Sequence, residues 1–246
     1  LVLSYSRFES VRKDILDLLT ALTSGDWPDG TAPSLLSHLG SENAQVLLHS
    51  LASDLDNSFD DYKMKISLYD FICAVMEGKQ EGLAVLFITG RDVFGDYTSK
   101  DDTEATKKLS LLQILKKNIR DMRYYPNSVS IHLVDAIALA CNSWTTAKES
   151  EHDDEFIQAL IGRVKLQILD PPDSSESFIS RCYELKLVSK IAEILALYLF
   201  TARSEKTRDK IVGFVNSDEF NDLAKTKFTI TNYQPSLDSN LKITFE

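Results

Sequence analysis

Long apolar runs, clustered cysteines and net positive charge are all missing from this sequence of 246 residues, and each absence closes a class of function. The longest apolar stretch is ILALYLF, Ile194 to Phe200. It falls far short of the roughly 20 residues a membrane-spanning helix requires, so no direct membrane insertion is expected. No basic-then-apolar leader stands at the start. The three cysteines, Cys73, Cys141 and Cys182, lie in separate apolar patterns. An odd, scattered set argues against a disulfide framework and for a reducing compartment. No N-x-[ST] sequon occurs either, and the expectation is a soluble, intracellular protein. The formal net charge is -10, with acids spread through DLDNSFDD, DYTSKDDTE and ESEHDDE. Such a field repels phosphate backbones and anionic lipid, so no nucleic-acid partner is expected.

Catalytic patterns are missing too. His38, His49, His132 and His152 are dispersed, and none has a second His or Cys one helical turn away to complete a zinc-ligand pair. No G-x-S-x-G elbow is present. The nearest approach to a phosphate loop is GRDVFGDYT, where Gly90 and Gly95 have the spacing of G-x-x-x-x-G-K-[ST]. Asp96 and Tyr97 stand where lysine and a hydroxyl would be needed, and an aspartate there repels phosphate. The preceding LAVLFIT reads as one short buried helix that Gly90 ends. The cysteines read as small core hydrophobes. No catalytic, cofactor or metal site is expected, and the chain is read as non-enzymatic.

What the sequence does carry is helical periodicity. Phe8, Val11, Ile15, Leu18, Leu19 and Leu22 recur at spacings of three and four, as do Ala44, Leu47, Leu48, Leu51 and Leu55. Further stripes run through Tyr62, Ile66, Tyr69, Cys73 and Met76; through Leu111, Leu112, Leu115, Ile119 and Met122; and through Val129, Leu133, Ala136, Ala140 and Trp144. Two more follow, on Phe156, Leu160, Ile161, Val164 and Ile168, and on Phe178, Cys182, Leu185, Val188, Ile191, Leu195 and Leu199. The last spreads beyond one stripe and predicts a helix buried on more than one side. Asp101-x-x-Glu104 and Asp173-x-x-Glu176 resemble capping boxes, and Ser41 is a plausible N-cap after Gly40. Gly78 and Gly90 fit left-handed helix ends, Pro126 fits a helix start, and DPPDSSES reads as a loop.

These helices fall into pairs, roughly 41–56 with 59–77, 103–122 with 126–144, and 152–169 with 175–201. Each pair spans the length of a HEAT or armadillo unit, although no consensus repeats between them. A lone helix pair cannot bury both its faces, whereas stacked pairs share a core. The predicted fold is therefore all-α: an α-solenoid of antiparallel helix pairs over residues 1–225. Residues 226–246 form a short extended or hairpin tail, where Phe228 and Ile230, then Leu241, Ile243 and Phe245, alternate with polar residues. A globular helical domain is the alternative. The start at Leu1 without methionine is read as an internal stretch of a longer protein, and such a piece is expected to be helical and prone to self-association.

One surface feature interrupts the acidic composition. Lys116, Arg120 and Arg123 fall at i, i+4 and i+7, with Lys117 beside them, and mark a candidate basic ridge. It is either a solvated outer face or a dock for an acidic partner segment. Trp144 closes an apolar stripe and reads as core, and Trp27 in GDWPDG reads as a loop anchor.

The stretch DDYKMKISLYDFICAVMEGKQEGLAVLF, Asp60 to Phe87, resembles the large inner-ring scaffold nucleoporins of the nuclear pore complex, of the 188-kilodalton type in a fungal form. The resemblance rests on Met64, Lys65 and Ile66, on Phe71, and on Gln80, Gly82, Leu83, Leu86 and Phe87. It continues through Ile131 to Trp144 and into PPDSSES and the helix with Glu193, Ile194 and Tyr198. The sister 192/205-kilodalton type remains an alternative. The resemblance implies a length of HEAT- and armadillo-like solenoid at the nuclear envelope, in the nuclear pore complex. There it would act as a non-catalytic scaffold without cofactors, supporting nucleocytoplasmic transport by organising other nucleoporins. Its implied partners are inner-ring nucleoporins, including a linker nucleoporin contacted by parts of the parent outside this chain. No binding residue carries over to these positions. A soluble transport-receptor-like adaptor, binding cargo or phenylalanine-glycine repeats between helices, is the competing function.

Overall fold

Wherever the described chain carries apolar residues three and four apart, it is helical. The computed structural model describes residues 5, 7–25, 27–28, 30, 32–57, 61–78, 80–91, 109–143, 153–169 and 178–227. Among them are ten α-helices and no strand: α1 (Arg12–Ser24), α2 (Leu35–Asp56), α3 (Tyr62–Glu77), α4 (Glu81–Thr89), α5 (Leu111–Asn118), α6 (Asn127–Ser143), α7 (Asp153–Leu169), α8 (Phe178–Thr201), α9 (Glu205–Val215) and α10 (Asp218–Lys227). A 3₁₀ turn, Glu9–Val11, leads into α1, and another, Ile119–Tyr124, prolongs α5.

Side-chain caps set most of the described starts. Ser34 accepts from the Ser37 N–H ahead of α2, Asp61 from Lys63 and Met64 ahead of α3, Ser110 from Gln113 ahead of α5, and Ser204 from Thr207 ahead of α9. The Pro126 carbonyl accepts from the Val129 and Ser130 N–H groups, so this proline opens α6 as expected. The helix expected from Ser41 is the longer arm of α2, beyond a kink at Gly40 (φ 70°, ψ 167°). Gly90 ends α4 in the left-handed region (φ 67°), donating to the Leu86 carbonyl at 2.8 Å. Gly78 departs from expectation, since its φ is -81°. Close approach is what demands glycine there: a Cβ would lie 2.6 Å from the Ala74 oxygen and 2.7 Å from the Thr23 oxygen. The two capping boxes, Trp144, His152 and residues 228–246 of the expected tail lie outside the described residues; 226 and 227 belong to α10.

The helices stack in two layers. In the first, α1, α3, α6 and α8 follow one another, and their mutual contacts are the most extensive in the molecule. In the second, α2 meets α5, the 3₁₀ turn after α5 meets α7, and α7 meets α9 and α10. The short α4 wedges between α2, α3 and α5. Each expected pair places one helix in each layer, yet stacking between successive pairs outweighs contact within a pair. One apolar cluster runs from Leu16 and Leu19 on α1 through Leu68 and Ile72 on α3 and Leu133 and Ile137 on α6 to Leu187 and Ile191 on α8. That continuity is the physical content of a solenoid. LAVLFIT buries Leu83, Ala84, Leu86, Phe87 and Ile88 and leaves Val85 and Thr89 half-buried, with Phe87 edge-on to Phe71 at 6.0 Å between ring centres. The long α8 departs from expectation over its first half: Ile179, Cys182, Tyr183 and Leu185 are exposed, and burial starts at Leu187.

Candidate interaction surface

The four cations of the expected ridge are dispersed by a change of helix type. Their spacing aligns them only on a helix of about 3.6 residues per turn, and the chain tightens to a 3₁₀ turn of about 3 residues at Ile119. Lys116 turns inward: it is buried and donates to Asp153 at the start of α7 at 2.8 Å. Its ammonium also sits 5.7 Å from the Phe156 ring centre and 5.4 Å from that of Tyr198. The other Asp153 oxygen accepts from the Tyr198 hydroxyl at 3.4 Å. Lys117 is exposed and pairs with Asp56 at the end of α2 at 2.6 Å. Arg120 pairs with Glu155 on α7. Arg123 lies over the Tyr124 ring, 4.6 Å from its centre.

Arg120 stands on the divide between two grooves. One, of about 850 Å³, opens between α2, α5 and the start of α7, with Ala52, Leu109, Ile114 and Phe156 among its walls. Its charged lining residues Lys116, Lys117, Arg120, Asp56, Asp153 and Glu155 neutralise one another in three pairs. The second, of about 510 Å³, lies between the 3₁₀ turn Ile119–Tyr124 and α7. Ile119, Met122, Ala159 and Leu166 line it, together with Arg120, Arg123, Arg163 and Lys165. Arg163 and Lys165 escaped the sequence reading, which looked for cations along one helix and not across two. The signal that could have exposed them is the glycine in ALIGRVKLQ, an unusual residue for a helix interior.

Elsewhere, polar side chains fasten helix to helix. Asp54 is buried on α2, accepting from the Tyr5 hydroxyl and from Arg12, both at 2.6 Å. Burial nonetheless holds its carboxyl above the ordinary aspartate value. Buried Gln80 accepts from the Leu35 N–H and donates to the Pro33 carbonyl, both at 2.9 Å, tying the start of α2 to that of α4. Asn118 donates to the Leu55 carbonyl at 2.9 Å. His132 on α6 meets Asp70 on α3 at 2.6 Å, and this hydrogen bond raises the imidazole above its ordinary value.

The thiols are placed unequally. Burial pushes Cys73 up to about 12 and Cys141 up to about 11, so both are protonated at neutral pH. Cys182 is exposed, contrary to the expectation of three core cysteines. Gly90 lies against the entry to α5: a Cβ there would collide with the Leu109 carbonyl oxygen, and Ser110 donates to the Ile88 carbonyl. Gly95, Asp96 and Tyr97 lie outside the described residues. The Trp27 indole donates to the Leu22 carbonyl at 3.2 Å, anchoring its loop to the end of α1.

Comparison with known proteins places these features in a lineage. Residues 1–91, which contain α1 to α4, match the family model "Nucleoporin Nup188, N-terminal subdomain III". The chain is 30% identical to nucleoporin NUP188 of Saccharomyces cerevisiae, an alignment covering 99% of the chain and 14% of that protein. It is 25% identical to nucleoporin nup184 of Schizosaccharomyces pombe, covering 94% of the chain and 15% of the relative. It is 24% identical to nucleoporin NUP188 of Chaetomium thermophilum, covering 84% of the chain and 12% of the relative. The chain therefore spans only a small part of the length of these relatives.

Proposed function

The chain is a stretch of Nup188-type nucleoporin, and from that premise we propose that it serves as a non-catalytic length of scaffold in the inner ring of the nuclear pore complex. The observation that carries this reading is similarity along 99% of the chain to a protein named as a nucleoporin. The fold supports it. Among the described residues, a continuous apolar core through stacked helices makes an elongating element. Its partners on this reading are other inner-ring nucleoporins. A linker nucleoporin is contacted through parts of the longer protein, and the outcome is support of nucleocytoplasmic transport at the nuclear envelope.

Photobleaching at the nuclear envelope tests it, with the full-length protein that carries this sequence fluorescently tagged at its own locus. The expected result is a punctate rim that recovers very slowly, as for a built-in component. Diffuse signal or rapid exchange would overturn the scaffold reading in favour of a transport-receptor-like adaptor.

A further inference from the structure

We propose that the groove between the 3₁₀ turn Ile119–Tyr124 and α7 docks an acidic amphipathic segment of a partner protein. Its apolar lining comes from Ile119, Met122, Ala159 and Leu166, and its volume of about 510 Å³ lies within the range of ligand-holding clefts. Leu166 is 54% exposed, a branched apolar side chain left in water by the fold itself. That floor sets the apolar half of the partner's chemistry.

The rim sets the other half. Arg120, Arg123, Arg163 and Lys165 surround one groove of a chain whose net charge is -10. Among the described residues, Arg123 has no carboxylate within ion-pair distance, and its guanidinium lies over the Tyr124 ring. Arg163 donates from Nη2 to the Asn127 side chain at 2.6 Å and feels the Glu184 carboxylate, while its buried Nε has no acceptor. Arg120 and Lys165 pair with Glu155 and Glu219, but both pairs are exposed and so free to exchange one carboxylate for another. Carboxylates from outside would complete this set.

Gly162 supplies an independent observation. It lies inside α7 and lines the same groove, and glycine is among the least favourable residues for a helix interior. Neither a left-handed backbone nor a close neighbour demands it, for a Cβ there would meet nothing within 4 Å. A bare stretch of helix facing an apolar groove is what close approach by a second backbone requires. An amphipathic helix laid in the groove, with carboxylates along its flanks, satisfies all three features. The apolar floor and the acidic chain disfavour a nucleic acid as the anion. The groove is assigned from its own geometry and stands or falls apart from the pore reading.

The test uses the whole 246-residue chain as bait for a displayed library of random peptides, with fluorescence anisotropy on the enriched sequences. Enriched peptides are expected to carry apolar residues at helical spacing with flanking Asp or Glu, and to bind more weakly as salt rises. Against Arg123→Glu and Gly162→Leu, each should lose affinity roughly tenfold or more. Gly162→Leu points a side chain into open space and favours the helix, so its thermal midpoint is expected at or above the parent's. Lost binding would then not be lost folding. No enrichment, peptides without carboxylates, or affinities indifferent to both variants would overturn the proposal. It also falls if a single-stranded oligonucleotide displaces the peptides, or if sedimentation shows a dimer that Gly162→Leu abolishes, which would give the groove to a second copy of the chain.

Discussion

The layer of α1, α3, α6 and α8 and the layer of α2, α5 and α7 are joined along their seams in different ways. Among the described residues, part-buried polar contacts tie the seams of the first: Ser67 to Asp17 at 2.8 Å, His132 to Asp70 at 2.6 Å, and Lys190 to Asp135 at 3.2 Å. Behind these ties lie wide apolar faces, on helices of 17 and 24 residues in α6 and α8. The second layer adds buried ties, Asn118 on the Leu55 carbonyl and Lys116 on Asp153, to its exposed pairs of Lys117 with Asp56 and Arg120 with Glu155. Its joint is α5, only 8 residues long before the 3₁₀ turn. A short helix offers too little apolar face to set its own register, and directional polar contacts do so in its place. The cost is fragility, because a buried charge that loses its partner is strongly unfavourable.

The comparison can be broken in order of expected effect. Lys116→Met leaves the Asp153 carboxylate buried without its counter-charge and is expected to cost about 3–5 kcal/mol in urea melts. Adding Asp153→Leu should recover most of that loss. If the double variant is no better than the single, the pair is not what holds α5 to α7. Gln80→Leu removes both hydrogen bonds at the start of α2, and its expected cost is about 1–3 kcal/mol. Faster hydrogen exchange at the Leu35 amide would locate the damage.

Lys190→Met is the control in the first layer. Its ion pairs with Asp135 and Glu193 join side chains that are 27% to 47% exposed, so the expected loss is below about 1 kcal/mol. A loss matching that of Lys116→Met would erase the distinction between the layers. The smallest effect sharpens it through pH. The Asp70 hydrogen bond raises the His132 pKa above its ordinary 6.5, with Asp135 adding to the shift and Lys186 opposing it. The protonated pair therefore stabilises the fold fully below the unfolded value and loses that contribution as pH rises through the folded one. Stability of the parent relative to His132→Gln should be greatest in mild acid and shrink above neutrality. A difference constant across that window would mean that His132 is not charged against Asp70.

Element type was legible from periodicity, because a stripe of apolar residues at spacings of three and four fits one face of a helix and not the period of two that a strand requires. Leu47, Leu48 and Leu51 on α2, and Leu133 and Ala136 on α6, were all anticipated as buried and are. The first half of α8 was misjudged for a physical reason: the residues around Tyr183 repeat the helical spacing, but periodicity reports a face and not a neighbour to cover it. The expected basic ridge was read on the assumption of an unbroken α-helix, and the tightening at Ile119 removed that assumption. Lys116 and Lys117 look equivalent in KKN, yet a single residue's rotation about the helix axis buries one beside Phe156 and leaves the other in solvent.

The amino-acid sequence by itself determined an all-α chain, its helix-pair rhythm and the helix stop at Gly90, since hydrophobic spacing and glycine's tolerance of positive φ act within a few residues. Tertiary structure alone decided which charges are buried and that Arg120 and Arg123 share a groove with Arg163 and Lys165. It also left Gly162 bare. Those outcomes depend on elements about forty residues apart meeting at a given rotation and distance, and side-chain burial is a property of that meeting rather than of either helix.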